Sequence, residues 1–137
     1  MKAIKNILLL VVGGAVYCGV ELLFRGFTHW SMGIVGGLCF WICGQINEGF
    51  SMDMLVWEQM AISAVLITMT EFISGCILNL CLGLAIWDYS NIPLNLLGQI
   101  CLPFSMAWFI LSLPAIVLDD YLRYWYFDEE KPSYRWK

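Results

Sequence analysis

The sequence predicts an all-α polytopic membrane protein with four transmembrane helices and with both termini in the cytoplasm. The first observation is composition, since 61% of the 137 residues are hydrophobic and only 13% are charged, too apolar a balance for a soluble domain. The second is that the hydrophobic residues form long runs separated by short polar turns. The third is that lysine and arginine concentrate at the two ends of the chain, as cytoplasmic segments do.

The first span is predicted over residues 7–24, and its polar residues share one helical face. Spacings of three or four residues separate Gly14, Cys18, Glu21 and Arg25. Glu21 precedes Arg25 by four positions, the order that favours an ion pair along a helix. The turn that follows contains His29, for which an interfacial hydrogen bond is the simplest role and a ligand or base is the alternative.

The second span is predicted over residues 32–46, and it is rich in glycine. Gly33 and Gly37 have the small-residue spacing that lets a neighbouring helix backbone approach closely. We therefore expect these two glycines to serve helix packing.

The third apolar run, residues 54–86, is longer than a bilayer requires, so we expect it to tilt strongly or to project from the membrane. Its polar residues again share a face: Thr68, Glu71, Gly75 and Asn79. Glu71 falls near the middle of the buried part, and Gly75 is expected to pack against another helix.

The fourth span is predicted over residues 94–118, with Pro93 at its start and Gly98 as a packing residue one turn further on. Residues 119–137 then form a charged and aromatic cytoplasmic tail, so the chain divides into a transmembrane domain, 1–118, and this tail. Four spans place both termini on one side of the membrane, which puts His29 and the stretch 86–105 together on the outer side.

The stretch 86–105 is unusual for a connector between apolar helices. Nine consecutive positions hold an indole, a carboxylate, a phenol, a hydroxyl and two amides: Trp87, Asp88, Tyr89, Ser90, Asn91 and Asn95. An aromatic belt at the membrane interface explains the Trp and the Tyr but not Asp88 or Asn95.

These observations predict an outward-facing polar pocket over which Asp88 and Tyr89 close. Its candidate residues are Glu21, Arg25, His29, Glu71, Trp87, Asp88, Tyr89 and Asn95. A charged side chain near the centre of a membrane helix costs about 2.5–3.5 kcal/mol, so Glu71 needs a partner or a proton. A structural clamp between helices is the alternative to a site.

Several function classes are excluded or disfavoured by what the sequence lacks. There is no P-loop motif, so the chain does not hydrolyse ATP by itself, and no basic patch suggests a nucleic-acid partner. The six cysteines lie inside apolar runs and form no Cys-x-x-Cys pair, so we interpret them as reduced packing residues. No metal or other cofactor is expected.

Three groups of residues resemble one family of small bacterial membrane proteins. They are Glu21 followed by Arg25-Gly26-Phe27-x-His29; Glu71-x-x-x-Gly75; and the run Trp87-Asp88-Tyr89-Ser90 followed by Pro93, Asn95, Gly98, Cys101, Ser105 and Trp108. This pattern is similar to the CmpB-type family, whose members are labelled as ABC-transporter permeases. The chain departs from the family pattern after His29, where Trp30-Ser31-Met32 stands in place of a Gly-Pro.

The resemblance implies a transporter component or channel-like subunit for a small solute or ion, embedded in the plasma (inner) membrane. The partners expected are the lipid bilayer, a second copy in a homodimer, or a separate ATPase or permease. Two alternatives stay open: a membrane enzyme that uses Glu, His and Asp at the outer leaflet, and a non-catalytic assembly subunit. The chain shows no recognisable order of nucleophile and base that favours the enzyme.

Overall fold

The computed structural model describes residues 2–26, 28–49, 54–129, 131 and 134, and of residues 2, 24, 25 and 46–49 it describes the backbone alone. Four long helices dominate: α1 (Lys2–Arg25), α2 (Trp30–Gly49), α3 (Val56–Gly75) and α4 (Leu102–Phe127). A π-helical segment, Cys76–Cys81, continues α3. Two short strands, β1 (Asn95–Leu96) and β2 (Ile100–Cys101), pair antiparallel before α4. The predicted all-helical class is confirmed.

Within the part of the chain that the structure describes, three helices are long and apolar enough to cross a membrane: Ala3–Leu23, Val56–Cys81 and Leu102–Phe127. Their outer faces carry exposed aliphatic side chains, such as Val11, Val65 and Ile110, each more than half exposed. A soluble protein does not present such faces to water, whereas a bilayer accepts them. The chain is therefore a multi-pass membrane protein.

Helices α1 and α2 form an antiparallel hairpin that glycines hold close together. A Cβ added at Gly14 would lie 2.5 Å from the carbonyl oxygen of Gly33. One at Gly37 would overlap the carbonyl oxygen of Leu10. The two backbones touch at these points, so Gly33 and Gly37 lie in the α1–α2 contact.

Helices α3 and α4 also run antiparallel, and hydroxyl groups join them. The Thr68 hydroxyl donates to Ser105 Oγ at 3.0 Å, and the Ser112 hydroxyl lies 3.4 Å from the Met60 carbonyl oxygen. The buried core between α2, α3 and α4 is apolar and consists of Cys43, Ile67 and Ile116.

The predicted limits of the third and fourth helices are wrong. The third helix stops at Cys81 and not at residue 86, and α4 begins at Leu102, eight residues later than expected, and continues to Phe127. Gly83 and Ala85 have positive φ angles of 68° and 51°, which end a right-handed helix although both residues are apolar. Pro103 lies in the first turn of α4, the role predicted for Pro93.

Candidate functional site

Residues 82–101 form a compact segment, here called the lid, between the π-helical segment and α4. Asn95 organises its turn: its side-chain amide donates to the Ile92 carbonyl at 2.8 Å and accepts from the Gly98 amide at 3.0 Å. The Tyr89 amide donates to the Gly98 carbonyl at 2.7 Å. Gly98 has a φ of 71°, and Ser90 and Asp88 crowd the place where a Cβ would stand. Asn95 and Gly98 thus shape the lid itself.

Two amide side chains fasten the lid to the end of the third helix. The Asn79 side chain donates to Gln99 Oε1 at 2.8 Å and accepts from the Ile86 amide at 2.7 Å. Gln99 is 3% exposed and also donates to the Leu97 carbonyl at 2.9 Å. Gln99 was not identified as a site residue from the sequence, although a glutamine among apolar residues could have indicated a buried polar contact.

Trp87 packs the inner side of the lid. Its indole nitrogen donates to the Gln99 carbonyl at 3.0 Å, and its side chain is buried. Gly75 of α3 lies opposite, where an added Cβ would stand 3.1 Å from the Trp87 ring and 2.6 Å from Gln99 Oε1. The absence of a side chain at Gly75 therefore lets the lid sit directly on α3.

Tyr89 reaches from the lid to Glu71, which is 7% exposed. The Tyr89 hydroxyl donates to Glu71 Oε2 at 2.9 Å, and the Trp108 indole nitrogen donates to Oε1 at 3.3 Å. Burial, and then the Glu71 carboxylate, raise the pKa of Tyr89, so its hydroxyl keeps its proton and acts as a donor. Both carboxylate oxygens thus have a donor, one from the lid and one from α4.

Aromatic rings build the wall beside this carboxylate. The Tyr89 ring stacks on Phe104 with centroids 4.8 Å apart and planes 14° apart. Phe104 in turn lies against Trp108, with centroids 6.5 Å apart. Stacking orients the Tyr89 hydroxyl towards Glu71, so the lid position and the carboxylate contact depend on each other.

The first two helices also contribute to the surroundings of Glu71. Tyr17 of α1 hydrogen-bonds to Glu21 and lies within electrostatic range of Glu71. Cys39 of α2 lies within the same range of Glu71. Glu21 is buried, at 7% exposed, so the structure brings Glu21, Tyr17 and Glu71 into one interior region.

Two other predicted pocket residues serve local structure. His29 Nδ1 accepts from the Ser31 amide at 3.3 Å and lies 2.7 Å from Ser31 Oγ, which places the imidazole at the start of α2. Asp88 does not close over Glu71 but points outwards and accepts from the Ser90 amide at 2.9 Å and from the Ser90 hydroxyl. These hydrogen bonds from Ser90 hold the pKa of Asp88 below its usual value. The Arg25 side chain lies outside the described residues.

The site is closed in this conformation. An apolar groove of about 510 Å³ lies between α1 and α2 and is lined by residues such as Leu10, Val11 and Trp30. A second groove of about 200 Å³ lies between α3 and the lid and is lined by residues such as Met69, Ile73 and Leu96. Neither groove is lined by a predicted pocket residue, whereas Gly33 and Gly37, which were predicted for helix packing, line the first. Glu71 is 7% exposed and Tyr89 occupies its Oε2, so a solute that binds this oxygen has to displace Tyr89.

The described residues offer no set of three or more His, Cys, Asp or Glu side chains that could hold a metal ion. The six cysteines are free thiols. Chemically, this arrangement can accept hydrogen bonds or a positive charge at Glu71, whose side chain is largely buried by the surrounding protein.

Comparison with known proteins gives one match at the family level. A family model matches residues 6–129, and the family is described as "Putative ABC-transporter type IV". The match includes α1 from residue 6 onwards, the other three helices and the lid. No experimentally solved structure matches the chain.

Proposed function

Because the chain belongs to the CmpB family, described as "Putative ABC-transporter type IV", we propose that it is a transport component whose solute site is Glu71 beneath the lid. The resemblance inferred from the sequence is confirmed at the level of the family. That Glu71 forms a solute pocket, and which kind of solute it takes, are what we propose beyond the family match.

The observation that carries the proposal is the way in which Glu71 is held. A carboxylate inside a membrane helix is costly, and such groups usually mark solute or ion pathways. One of the two donors to Glu71 comes from α4 and the other from Tyr89 of the lid. A movement of the lid therefore uncovers one carboxylate oxygen while the helices keep their packing.

The present donors indicate the kind of solute that fits. Tyr89 and Trp108 occupy both oxygens with an O–H and an N–H group. A solute that displaces Tyr89 has to replace its hydrogen bond, so it carries a donor or a positive charge. The aromatic wall of Tyr89 and Phe104 also favours a cation. We propose a small cationic solute.

The membrane arrangement belongs to the same proposal. Helix α2, at 20 residues, is taken as the fourth span, which puts both termini in the cytoplasm and the lid outside. The chain lies in the plasma membrane of a bacterium and obtains energy from a separate ATPase, since it has no P-loop. A homodimer supplies the volume that four spans lack.

A membrane enzyme is less well supported by the geometry. His29 is engaged at the start of α2, and Asp88 points outwards from the lid. Neither of them reaches Glu71, so the three residue types do not form one acid–base set. Gly33 and Gly37 could have packed against a partner subunit, as the assembly-subunit alternative requires. They contact α1 of the same chain instead.

Thermal unfolding of the purified protein in detergent with a panel of solutes tests the proposal. The panel pairs cations with uncharged counterparts: arginine with citrulline, choline with 3,3-dimethylbutanol, and spermidine with a triol. A solute at 100 times its dissociation constant stabilises the folded protein by about 2.7 kcal/mol. We expect one cation to do so in the wild type and in Glu58→Gln, but not in Glu71→Gln.

Glu58→Gln is the matched control because Glu58 lies in the first turn of α3, far along the helix from Glu71. The proposal is contradicted if no cation stabilises the wild type more than its uncharged counterpart. It is also contradicted if Glu71→Gln responds as the wild type does.

A further inference from the structure

A second buried carboxylate lies at the end of the bundle opposite to the lid. Asp119 of α4 has a side chain that is 0% exposed, and its neighbour Arg123 is 6% exposed. The sequence placed Asp119 in a cytoplasmic tail, but the structure includes it in the last turns of α4, packed inside the bundle. Asp119 precedes Arg123 by four positions, just as Glu21 precedes Arg25. This spacing in the sequence could have indicated an ion pair along the helix.

The two oxygens of this carboxylate have different surroundings. Oδ2 accepts from Arg123 Nε at 2.8 Å. Oδ1 is buried and has no hydrogen-bond donor among the residues that the structure describes. Gly44 of α2 lies against the same carboxylate, so closely that an added Cβ would overlap Oδ1. A buried acceptor that bears part of a negative charge and has no donor is costly.

Arg123 lies close to two acidic side chains, so its positive charge does not neutralise Asp119 alone. Its Nη1 lies 3.6 Å from Glu129, which also pairs with Lys5 of α1. Among the described residues, other titratable groups near Asp119 are Asp120 of α4, the Tyr134 hydroxyl, which donates to Asp120 at 2.9 Å, and the Cys43 thiol of α2. Helix α3 brings apolar side chains to the adjoining core, among them Met60 and Ile67.

An apolar layer separates Asp119 from Glu71. Cys43, Ile67 and Ile116 form this layer, and Trp108, which contacts Glu71, packs on it. Trp108 and Asp119 are 11 positions apart in α4, a rise of about 16 Å. The two carboxylates therefore belong to different ends of the bundle.

We propose that Asp119 is a proton-binding site, and that the proton binds at Oδ1 while Oδ2 keeps its hydrogen bond from Arg123. The proton converts a buried charged acceptor into a neutral acid, which keeps the hydrogen bond from Arg123 Nε, and the positive charge of Arg123 is then balanced by Glu129. Because Gly44 has no side chain, the carboxyl group can lie directly against α2. This site goes beyond the proposed solute site and does not depend on it.

Infrared spectroscopy of the full chain in liposomes tests the proposal, with carboxyl-13C-labelled aspartate incorporated during expression. The label shifts bands of aspartic acids and leaves those of Glu71 and other glutamates in place. We expect a labelled carboxylic-acid band in the wild type at pH 5.5, where exposed aspartates, with a pKa of about 3.9, are ionised. Asp119→Asn should remove this band completely, whereas the matched variant Asp120→Asn should retain it.

The proposal is overturned if the wild type shows no labelled acid band, or if Asp120→Asn removes the band. If Asp119→Asn does not fold, the Asp120→Asn spectrum decides, because Asp119 is then the buried aspartate that remains in the described part of α4. A band that persists there supports the site, and its loss contradicts it. Failure of solute binding at Glu71 changes neither outcome.

Discussion

Glu71 is stable inside the membrane because a donor reaches each of its oxygens. The Tyr89 hydroxyl reaches Oε2 and the Trp108 indole reaches Oε1. Trp108 lies within a long helix, whereas Tyr89 belongs to the lid, whose φ angles at Gly83, Ala85 and Leu94 are positive. The Tyr89 contact is thus the one that a conformational change can break without unfolding a helix.

Replacing Tyr89 with Phe should lower the free energy of unfolding in detergent by about 1.5–3 kcal/mol, the range for a hydrogen bond to a charged group. The ring still stacks on Phe104, so the loss reports the hydroxyl alone. Tyr126→Phe is the control, because Tyr126 is 70% exposed on α4 and should change stability little. Equal stability of the two variants would mean that the Tyr89–Glu71 contact contributes nothing.

At the scale of elements, the α1–α2 hairpin depends on backbone contact. Gly14 meets the Gly33 carbonyl oxygen. At Gly19, five residues further on, an added Cβ would have no atom of another described element within 4 Å. The two glycines are therefore equivalent in helix propensity but different in packing.

Gly14→Ala should lower the unfolding free energy by about 1–3 kcal/mol, since backbone cannot move aside as a side chain can. Gly19→Ala should leave it unchanged or raise it by up to about 1 kcal/mol, because alanine favours the helix. Chemical denaturation of both variants, followed by circular dichroism, measures the difference. A Gly14→Ala protein as stable as Gly19→Ala would contradict the close packing of α1 on α2.

The hairpin was predictable from the sequence, but the lid was not. Apolar length and glycine spacing located α1 and α2 to within a few residues. The two ends of the lid, residues 82–86 and 94–101, are largely apolar, so hydropathy extended the neighbouring helices into them. The helices end there because of tertiary contacts. The Asn79 side chain accepts a hydrogen bond from the Ile86 amide, and Gln99 links Asn79 to the turn of the lid. Such contacts between distant polar residues leave no periodic signal.

At the scale of the whole molecule, alternating helix directions place the lid and the α1–α2 turn at one end. Asp119, Arg123 and Lys5 lie at the other end. The expected cluster of Glu21 with Glu71 could be derived from helical faces, because both acids stand in apolar helices. The separate roles of His29 and Asp88 could not be derived in this way, because each side chain is held by hydrogen bonds with a neighbouring serine.

This arrangement predicts that Asn91, which is exposed in the lid, faces the outside of the cell. In a background without the six native cysteines, Asn91→Cys should react with a membrane-impermeant maleimide in intact cells, and Lys137→Cys should react only after permeabilisation. If Asn91→Cys is labelled only after permeabilisation, the orientation is reversed. The lid would then open towards the cytoplasm.

The central claim is that Glu71 is a site and not a clamp, and the unfolding free energy of Glu71→Gln tests it most directly. The glutamine oxygen can accept from Trp108, and its amide can donate to the Tyr89 hydroxyl oxygen, so both contacts survive without the charge. A site predicts that the variant, measured by chemical denaturation in detergent, stays within about 1 kcal/mol of the wild type. A loss of about 1.5–3 kcal/mol or more, the contribution of a hydrogen bond to a charged group, would show that the charge of Glu71 holds the bundle together and would contradict the account.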